Sequence, residues 1–502
     1  MHQAHQTTTP RIGVSGHPLT EEQERIVSRP PTRTQKWMAF AGCAKTTTAV
    51  EYTHVHPERA LYLAFNNSIA NDAKGRFPDH VDVFTAHAYA RREMNVEQHR
   101  SRQVNRIREE MLDPAADMIR PLSRMTDKAV RRGIVMSMNE WLKSDDDRLM
   151  TEHLKGFPYA VKHSALAMVR AVAERIVAFE DSGLPFTHDV YLKAFALRGR
   201  VGQKYQYVIV DEAQDLNPVL IGIAKRCGLP LIIIGDPFQS IYGFRGAVQA
   251  MDEFSGPILP LSKSFRFGPE IATVANFMLR QSTNSPDTPL VGFEQKRSYV
   301  REYQGSFKGR ATILSRTNLR LFESLVENTC TFHVVGGIED MIEQVKAGHA
   351  LWKAEKEDRP APNTFNAIVK RHKTWADLKE SSELDEEPEL VRLVNIVEQY
   401  GDRVPDILVD LMERHTPYED EARIIVSTAH KAKGREWNHV IVLDDFVTPL
   451  ALRARLAKKR MKEIDYNQEI NLLYVTLTRA IETLSISPDL YDEVASGTGL
   501  TR

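Results

Sequence analysis

Short apolar runs recur along the chain, separated by stretches in which apolar residues fall at helical spacing. The runs "ALYLAF", "YVIVDE", "LIIIGD", "ATILSR" and "HVIVLDD" have strand length, and several end in a carboxylate or a small polar residue. Apolar strands alternating with helices are the pattern of a parallel sheet covered on both faces, and such sheets hold ligands at their strand C-termini. Two stretches break the alternation. Residues 91–200 lack clear strands, and "ALAMVRAVAERIVAFED" within them has the spacing of an amphipathic helix. Residues 340–418 are helical and polar, with a proline-bearing joint, "EKEDRPAPN", and an acidic patch around Glu383–Glu389. The pattern predicts an α/β chain of two sheet domains, each interrupted by a helical insertion.

The 502 residues suffice for several domain-sized units, so burial of a sizeable core is expected. The net charge of −1 argues against passive coating of nucleic acid, which usually takes a basic protein. Charge is nonetheless local. Arg91, Arg92, Arg100, Arg102, Arg106, Arg108, Arg120 and Arg124 crowd one region; Arg453, Arg455, Lys458, Lys459, Arg460 and Lys462 crowd another. Solvated helix faces are the ordinary explanation of such runs. Cys43, Cys227 and Cys330 are too scattered for a disulfide framework or a zinc pair, which suggests a reducing cytoplasm. No apolar run is long enough to span a membrane, and the polar first 18 residues read as a flexible tail without a signal peptide.

Three segments carry chemistry. In "AFAGCAKT" (39–46), Lys45 and Thr46 fit the phosphate-loop pattern G-x-x-x-x-G-K-[ST], but its two glycines are Ala39 and Ala44. A plausible strand, "TQKWMAF", precedes the segment and a helical stretch follows it. That order suits a phosphate cradle, with Lys45 on the phosphates and Thr46 on Mg²⁺; the alternative is a plain helix start. "YQYVIVDEAQD" is a strand ending in Asp211 and Glu212, suited to hold Mg²⁺ and activate water; the alternative is a solvated acidic turn. "LIIIGDPFQSIYGFRGA" ends a strand at Asp236 and places Gln239 where it can sense a γ-phosphate. Tyr242, Phe244 and Arg245 follow on a polar loop and suit stacking on unpaired bases.

With these segments in place the chain resembles the superfamily 1A UvrD/Rep/PcrA-like DNA helicases, and within them the F-box DNA helicase and its bacterial UvrD-like relatives. The likeness runs from Leu19 to about Ser487. "LTEEQ" resembles the adenine-reading motif, with Gln23 as reader. "LAFNNSIANDAKGRF" and "FTAHAYA" resemble strand-contacting motifs, "DEAQD" the acidic motif, and "GDPFQSIYGFRGA" the motif after it. "LSKSFRF" places Arg266 as one arginine finger; "NLLYVTLTRA" places Arg479 as the other. "STAHKAKGREW" carries Thr428, His430, Lys433, Gly434 and Glu436.

The resemblance implies two RecA-like P-loop domains with ATP and Mg²⁺ between them. The first comprises 19–90 and 201–257, with 91–200 as insertion. The second comprises 258–339 and 419–490, with 340–418 as a reduced insertion and 491–502 as a tail. It implies Lys45, Asp211, Glu212, Gln239, Arg266 and Arg479 as catalytic, with Thr46 and Asp211 on the metal. Gln23, Gly42, Cys43, Ala44, Lys45, Thr46, Thr47, Phe265, Gly434 and Glu436 would line ATP. Phe65, Asn66, Thr85, His87, Tyr242, Phe244, Arg245, Thr428 and His430 would contact DNA. The implied activity is an ATP-driven, 3′ to 5′ motor on single-stranded DNA or DNA with a 3′ tail, with recombinases or other DNA-bound proteins as further partners. Thr47 stands where many relatives carry an arginine packed on adenine, and Phe265 where many carry tyrosine. The rival expectation, from Ala39 and Ala44, is a helicase-like module that grips DNA or a partner without turnover; RNA is the alternative track.

Overall fold

A computed structural model describes residues 11–180, 183–241, 243, 250–360, 371–372, 374–384 and 388–500. The chain divides into two units, Met1–Ser262 and Lys263–Arg502.

The first unit is built on a six-stranded parallel sheet in the order β3-β2-β4-β5-β1-β6. Its strands are β1 (Gln35–Ala39), β2 (Ala60–Ala64), β3 (Val81–Thr85), β4 (Tyr207–Val210), β5 (Leu231–Gly235) and β6 (Ile258–Leu261). The central strands are apolar throughout because helices cover both faces. Ile232, Ile233 and Ile234 of β5 are fully buried, each contributing about 1.5–3 kcal/mol by leaving water. Four helices frame the strand ends: α1 (Glu21–Val27), α2 (Lys45–Val55), α3 (Asn67–Lys74) and α4 (Ala86–Glu93). Three have side-chain N-caps, from Thr20, Asn66 and Thr85. Among the described residues, 91–200 contain no strand; their long helices are Asp127–Lys143, Tyr159–Val177 and His188–Arg198. Met138, Trp141, Val172, Ile176 and Phe195 share one apolar core with Leu61, Leu63 and Val208 of the sheet.

One boundary differs from the sequence reading, which opened the second domain at residue 258. Ile258–Leu261 pairs in parallel with β1 and closes the first sheet. Pro260 sits in this strand without breaking it because β6 is an edge, where one face of the backbone needs no ladder partner.

The second unit repeats the architecture. Its parallel sheet runs β7-β12-β11-β8-β10-β9. The strands are β7 (Tyr299–Glu302), β8 (Ala311–Ser315), β9 (Phe332–Val334), β10 (Ile424–Thr428), β11 (Trp437–Val442) and β12 (Ala480–Ile486). Between β9 and β10 run the helices Glu339–Lys356, Trp375–Leu384, Pro388–Tyr400 and Val404–Arg414. Val345, Leu378, Leu393, Val397 and Leu411 from these helices join Ile313, Phe322, Val426 and Ile441 in one core. The fold class is thus α/β, two parallel sheets with helices. Among the described residues there is no disulfide, and no helix is long and apolar enough to cross a membrane.

Candidate nucleotide and nucleic-acid site

The segment 39–46 is a tight loop between β1 and α2. Gly42 has φ 75°, and Ala44, the N-cap of α2, has φ 54° and ψ 39°. Ala44 therefore adopts the left-handed backbone conformation that a glycine would take more cheaply. No side chain caps α2, so its first N–H groups remain available to an anion at the loop. Ala39, Phe40, Ala41 and Cys43 are buried beneath. The Ala44 carbonyl accepts the Thr48 N–H at 2.9 Å and the Thr48 hydroxyl at 3.0 Å. Thr48 in turn accepts the Gln23 amide at 3.0 Å, and the Gln23 Oε1 accepts the Thr20 N–H at 3.0 Å. Gln23 is thus tied to α1 and α2 through both amide atoms.

Lys45 opens α2 and reaches the end of β4. Its Nζ donates to Glu212 Oε1 at 2.8 Å. Burial works against the Lys45 charge, but Glu212, Asp211 and Asp236 outweigh it and hold the ammonium above its ordinary range. Glu212 has φ 52°, a second left-handed non-glycine residue, and its N–H donates to Asp211 Oδ1 at 2.8 Å. The Gln214 amide donates to Glu212 Oε2 and accepts the Asp236 N–H at 3.0 Å. Gln239 Nε2 donates to Asp236 Oδ2 at 2.7 Å. Lys45, Asp211, Glu212, Asp236 and Gln239, drawn from three segments of sequence, therefore form one connected cluster. Burial pushes the Asp236 carboxyl up to about 6. Burial, then the neighbouring Glu212 charge, raises Asp211 against the pull of Lys45. Three carboxylates around one ammonium leave surplus negative charge in a buried place, and the oxygen donors Asp211 and Thr46 suit a hard divalent cation.

Two residues at this site escaped the sequence reading. Tyr62 of β2 is fully buried; its hydroxyl donates to Asp211 Oδ2 and is also hydrogen-bonded to the Thr46 side chain. It thus lies between the two metal-ligand candidates. Burial, then the Asp211 charge, holds the phenol well above its ordinary pKa. Arg76, just past α3, donates through Nη2 to Thr47 Oγ1 at 2.8 Å, bringing a guanidinium to the position noted above as lacking one.

The nucleic-acid candidates of the first unit collect at the C-terminal ends of β2 and β3. Phe65 is 38% exposed, large for an aromatic ring on a strand end. Asn66 and Thr85 serve as N-caps, accepting from Ile69 and Ala88. His87 lies 3.6 Å from Asp189, and this contact holds the Asp189 carboxyl below its usual range. Phe65, His87 and Asp211 line one cavity of about 240 Å³, together with Asn217 and Leu220. Tyr242, Phe244 and Arg245 lie outside the described residues.

In the second unit, Arg266 donates to Glu436 at 2.5 Å and to the Thr478 carbonyl at 2.9 Å. Arg479, 1% exposed, donates to the carbonyls of Val475 at 2.8 Å and Arg435 at 3.1 Å. Thr478 lies between the two guanidinium groups, so both candidate fingers and Glu436 form one cluster. Gly434 has φ 84°, and Phe265 packs on Phe293 with ring centroids 5.5 Å apart. Thr428 ends β10 and occupies the N-cap position, without a side-chain capping bond, of the short helix that carries the half-buried His430.

Comparison with known proteins agrees with this arrangement. Residues 19–255 match the UvrD/REP helicase N-terminal domain. The chain is 29% identical to F-box DNA helicase 1 of Gallus gallus over 94% of this chain and 49% of that protein. It is 28% identical to F-box DNA helicase protein 1 of Schizosaccharomyces pombe over 96% of this chain and 59% of the relative. A shorter match, 27% over 106 residues, links it to DNA helicase II of Haemophilus influenzae. The chain spans about half the length of the two longer-matching relatives. The loop 39–46 and the acidic end of β4 both fall within residues 19–255, the stretch over which the chain is similar to the UvrD/REP helicases.

Proposed function

We propose that the chain is an ATP-dependent motor on single-stranded DNA, stepping 3′ to 5′ with or without unwinding of a duplex. The observation that carries this reading is the 2.8 Å contact of Lys45 with Glu212 in a buried cluster that also holds Asp211, Asp236 and Gln239. In this reading Lys45 binds the β- and γ-phosphates, Glu212 takes the proton of the attacking water, and Gln239 orients that water. Thr46 and Asp211 would hold Mg²⁺, which when bound would supply charge neutralisation on the phosphates. Arg266 and Arg479 are assigned, by family pattern, to transition-state charge. Phe65, His87, Thr428 and His430 would hold the strand, Phe65 by stacking that is indifferent to sequence. The named activity of the relatives supports a DNA track. The cytoplasm, as a reducing compartment, fits the scattered cysteines.

The test is phosphate release at millimolar Mg-ATP with no nucleic acid, with single-stranded DNA and with single-stranded RNA. Stimulation by DNA is expected. Glu212→Gln should lower turnover by at least ~10²-fold while nucleotide binding persists, the lower range for loss of a general base. A second reading rests on the strained Ala44: a module that grips DNA without turnover. Absence of stimulated hydrolysis in the parent, restored by Ala44→Gly, would select it.

A further inference from the structure

The second basic cluster of the sequence lies on an ordered turn. The helix Pro449–Ala457 is anchored by fully buried Leu452, which packs with Tyr466 and Ile470; Leu456 and Met461 close over the same cluster. The helix ends in a fixed reversal. Lys458 N–H donates to the Ala454 carbonyl at 3.1 Å, Lys459 N–H to Leu456 at 2.9 Å and Arg460 N–H to Arg455 at 3.0 Å. Lys459 takes φ 56° to close it. Arg453, Arg455, Lys458, Lys459, Arg460 and Lys462 are all exposed. Among the described residues none of the six makes an ion pair or a side-chain hydrogen bond.

Other arginines of this unit are tied down. Arg266, Arg316, Arg320, Arg392, Arg414 and Arg435 are each held by a carboxylate. Between 449 and 465 the acidic residues of the sequence are Glu463 and Asp465, and both lie in the first turn of the helix Glu463–Leu477, where they complement its dipole. The strands of this sheet are parallel, so the segment following β11 leaves from the same edge as Thr428 at the end of β10. The helices Ala429–Ala432 and Pro449–Ala457 both pack on Glu463–Leu477. The turn therefore shares an edge with the candidate strand contacts. It carries no aromatic residue between 449 and 465, so it has no stacking platform for unpaired bases.

We propose that the turn Arg453–Lys462 is a docking surface for the phosphate backbone of duplex DNA, separate from the strand-holding residues. Its positional support rests on the reading that this sheet edge faces nucleic acid. The experiment is fluorescence anisotropy without nucleotide, using a blunt duplex and a single-stranded oligonucleotide of equal length, from 50 to 200 mM salt. The variant is Lys458→Gln/Lys459→Gly/Arg460→Gln. Lys459→Gly alone serves as fold control, because glycine relieves the left-handed backbone while removing one charge.

Three lost phosphate contacts should flatten the duplex plot of log affinity against log salt by about 2–3. Duplex binding should weaken about tenfold or more at the lowest salt, with single-strand affinity and stimulated hydrolysis unchanged. Equal losses on both nucleic acids would overturn the duplex assignment, and no loss on either would leave a solvated turn. Loss of binding to phosphatidylserine vesicles, with duplex binding intact, would turn the surface toward lipid and overturn the proposal. A parent that binds no single strand would refute instead the DNA reading on which the position rests.

Discussion

Ala44→Gly tests where the strain of the phosphate loop resides. From the sequence, an alanine at this place is expected to weaken ATP binding, because the backbone must turn left-handed around the phosphate. In the structure the turn belongs to the folded loop: φ is 54° at Ala44 and 75° at Gly42. Two hydrogen bonds from Thr48 hold the Ala44 carbonyl, and Gln23 holds Thr48. The cost of the left-handed alanine, about 1–2 kcal/mol, therefore falls on folding. Glycine removes that cost but widens the unfolded ensemble, which takes back about 0.5–1 kcal/mol. The net gain should be about 0.5–1 kcal/mol. In a unit of this size that raises the melting temperature by about 1–4 °C. Calorimetric unfolding and titration with a fluorescent ATP analogue measure the two halves. The expected result is a modest rise in stability with less than about threefold change in affinity, since threefold is only about 0.65 kcal/mol. A tenfold gain in affinity with unchanged melting would refute the reasoning and place the strain in the binding step.

Tyr62→Phe removes a hydroxyl donor from the buried Asp211 carboxylate, so stability should fall by about 1.5–3 kcal/mol, the worth of a hydrogen bond to a charged group. Saturating Mg-ADP should recover more stability in the variant than in the parent, read by thermal shift; equal recovery would separate Tyr62 from the candidate metal ligands. Phe65→Ala should weaken single-strand binding by ~1–3 kcal/mol with little change in melting, because the ring is already 38% exposed. A large melting loss with intact binding would make it a packing residue. Asp236, raised by burial to about 6, binds its proton more tightly folded than unfolded. Its contribution to stability is present below the ordinary aspartate range and is lost as pH rises through about 6. In metal-free protein the parent should therefore lose stability relative to Asp236→Asn between about pH 4 and pH 6.5; a difference that does not vary with pH would reject the assignment.

The strands that carry chemistry were legible because each couples a continuous apolar run to a polar residue at its C-terminal end. Asp211, Asp236 and Lys45 follow from that pattern. Tyr62 was not legible. It sits inside an apolar run, where tyrosine reads as core, and its role depends on register. Tyr62 pairs with Ile209, which brings its hydroxyl to Asp211 just beyond the end of β4. Arg76 was hidden for a different reason. Its partner Thr47 lies 29 residues earlier, and no local spacing announces a contact between the turn after α3 and the first turn of α2. Strand β6 was hidden by Pro260, which argues against a strand until the strand is known to be an edge.

Gln23 shows how a motif and a structural role can share one residue. Family resemblance assigns its side chain to adenine, while the structure engages that amide with Thr20 and Thr48. The chain from Gln23 through Thr48 to the Ala44 carbonyl over-determines one of the two backbone positions that the motif would give to glycine. A strained conformation persists only where its surroundings fix it, and here the surroundings are named. The missing glycine is therefore compatible with a formed phosphate loop, because α1 and the first turn of α2 hold the backbone where glycine would have let it rest.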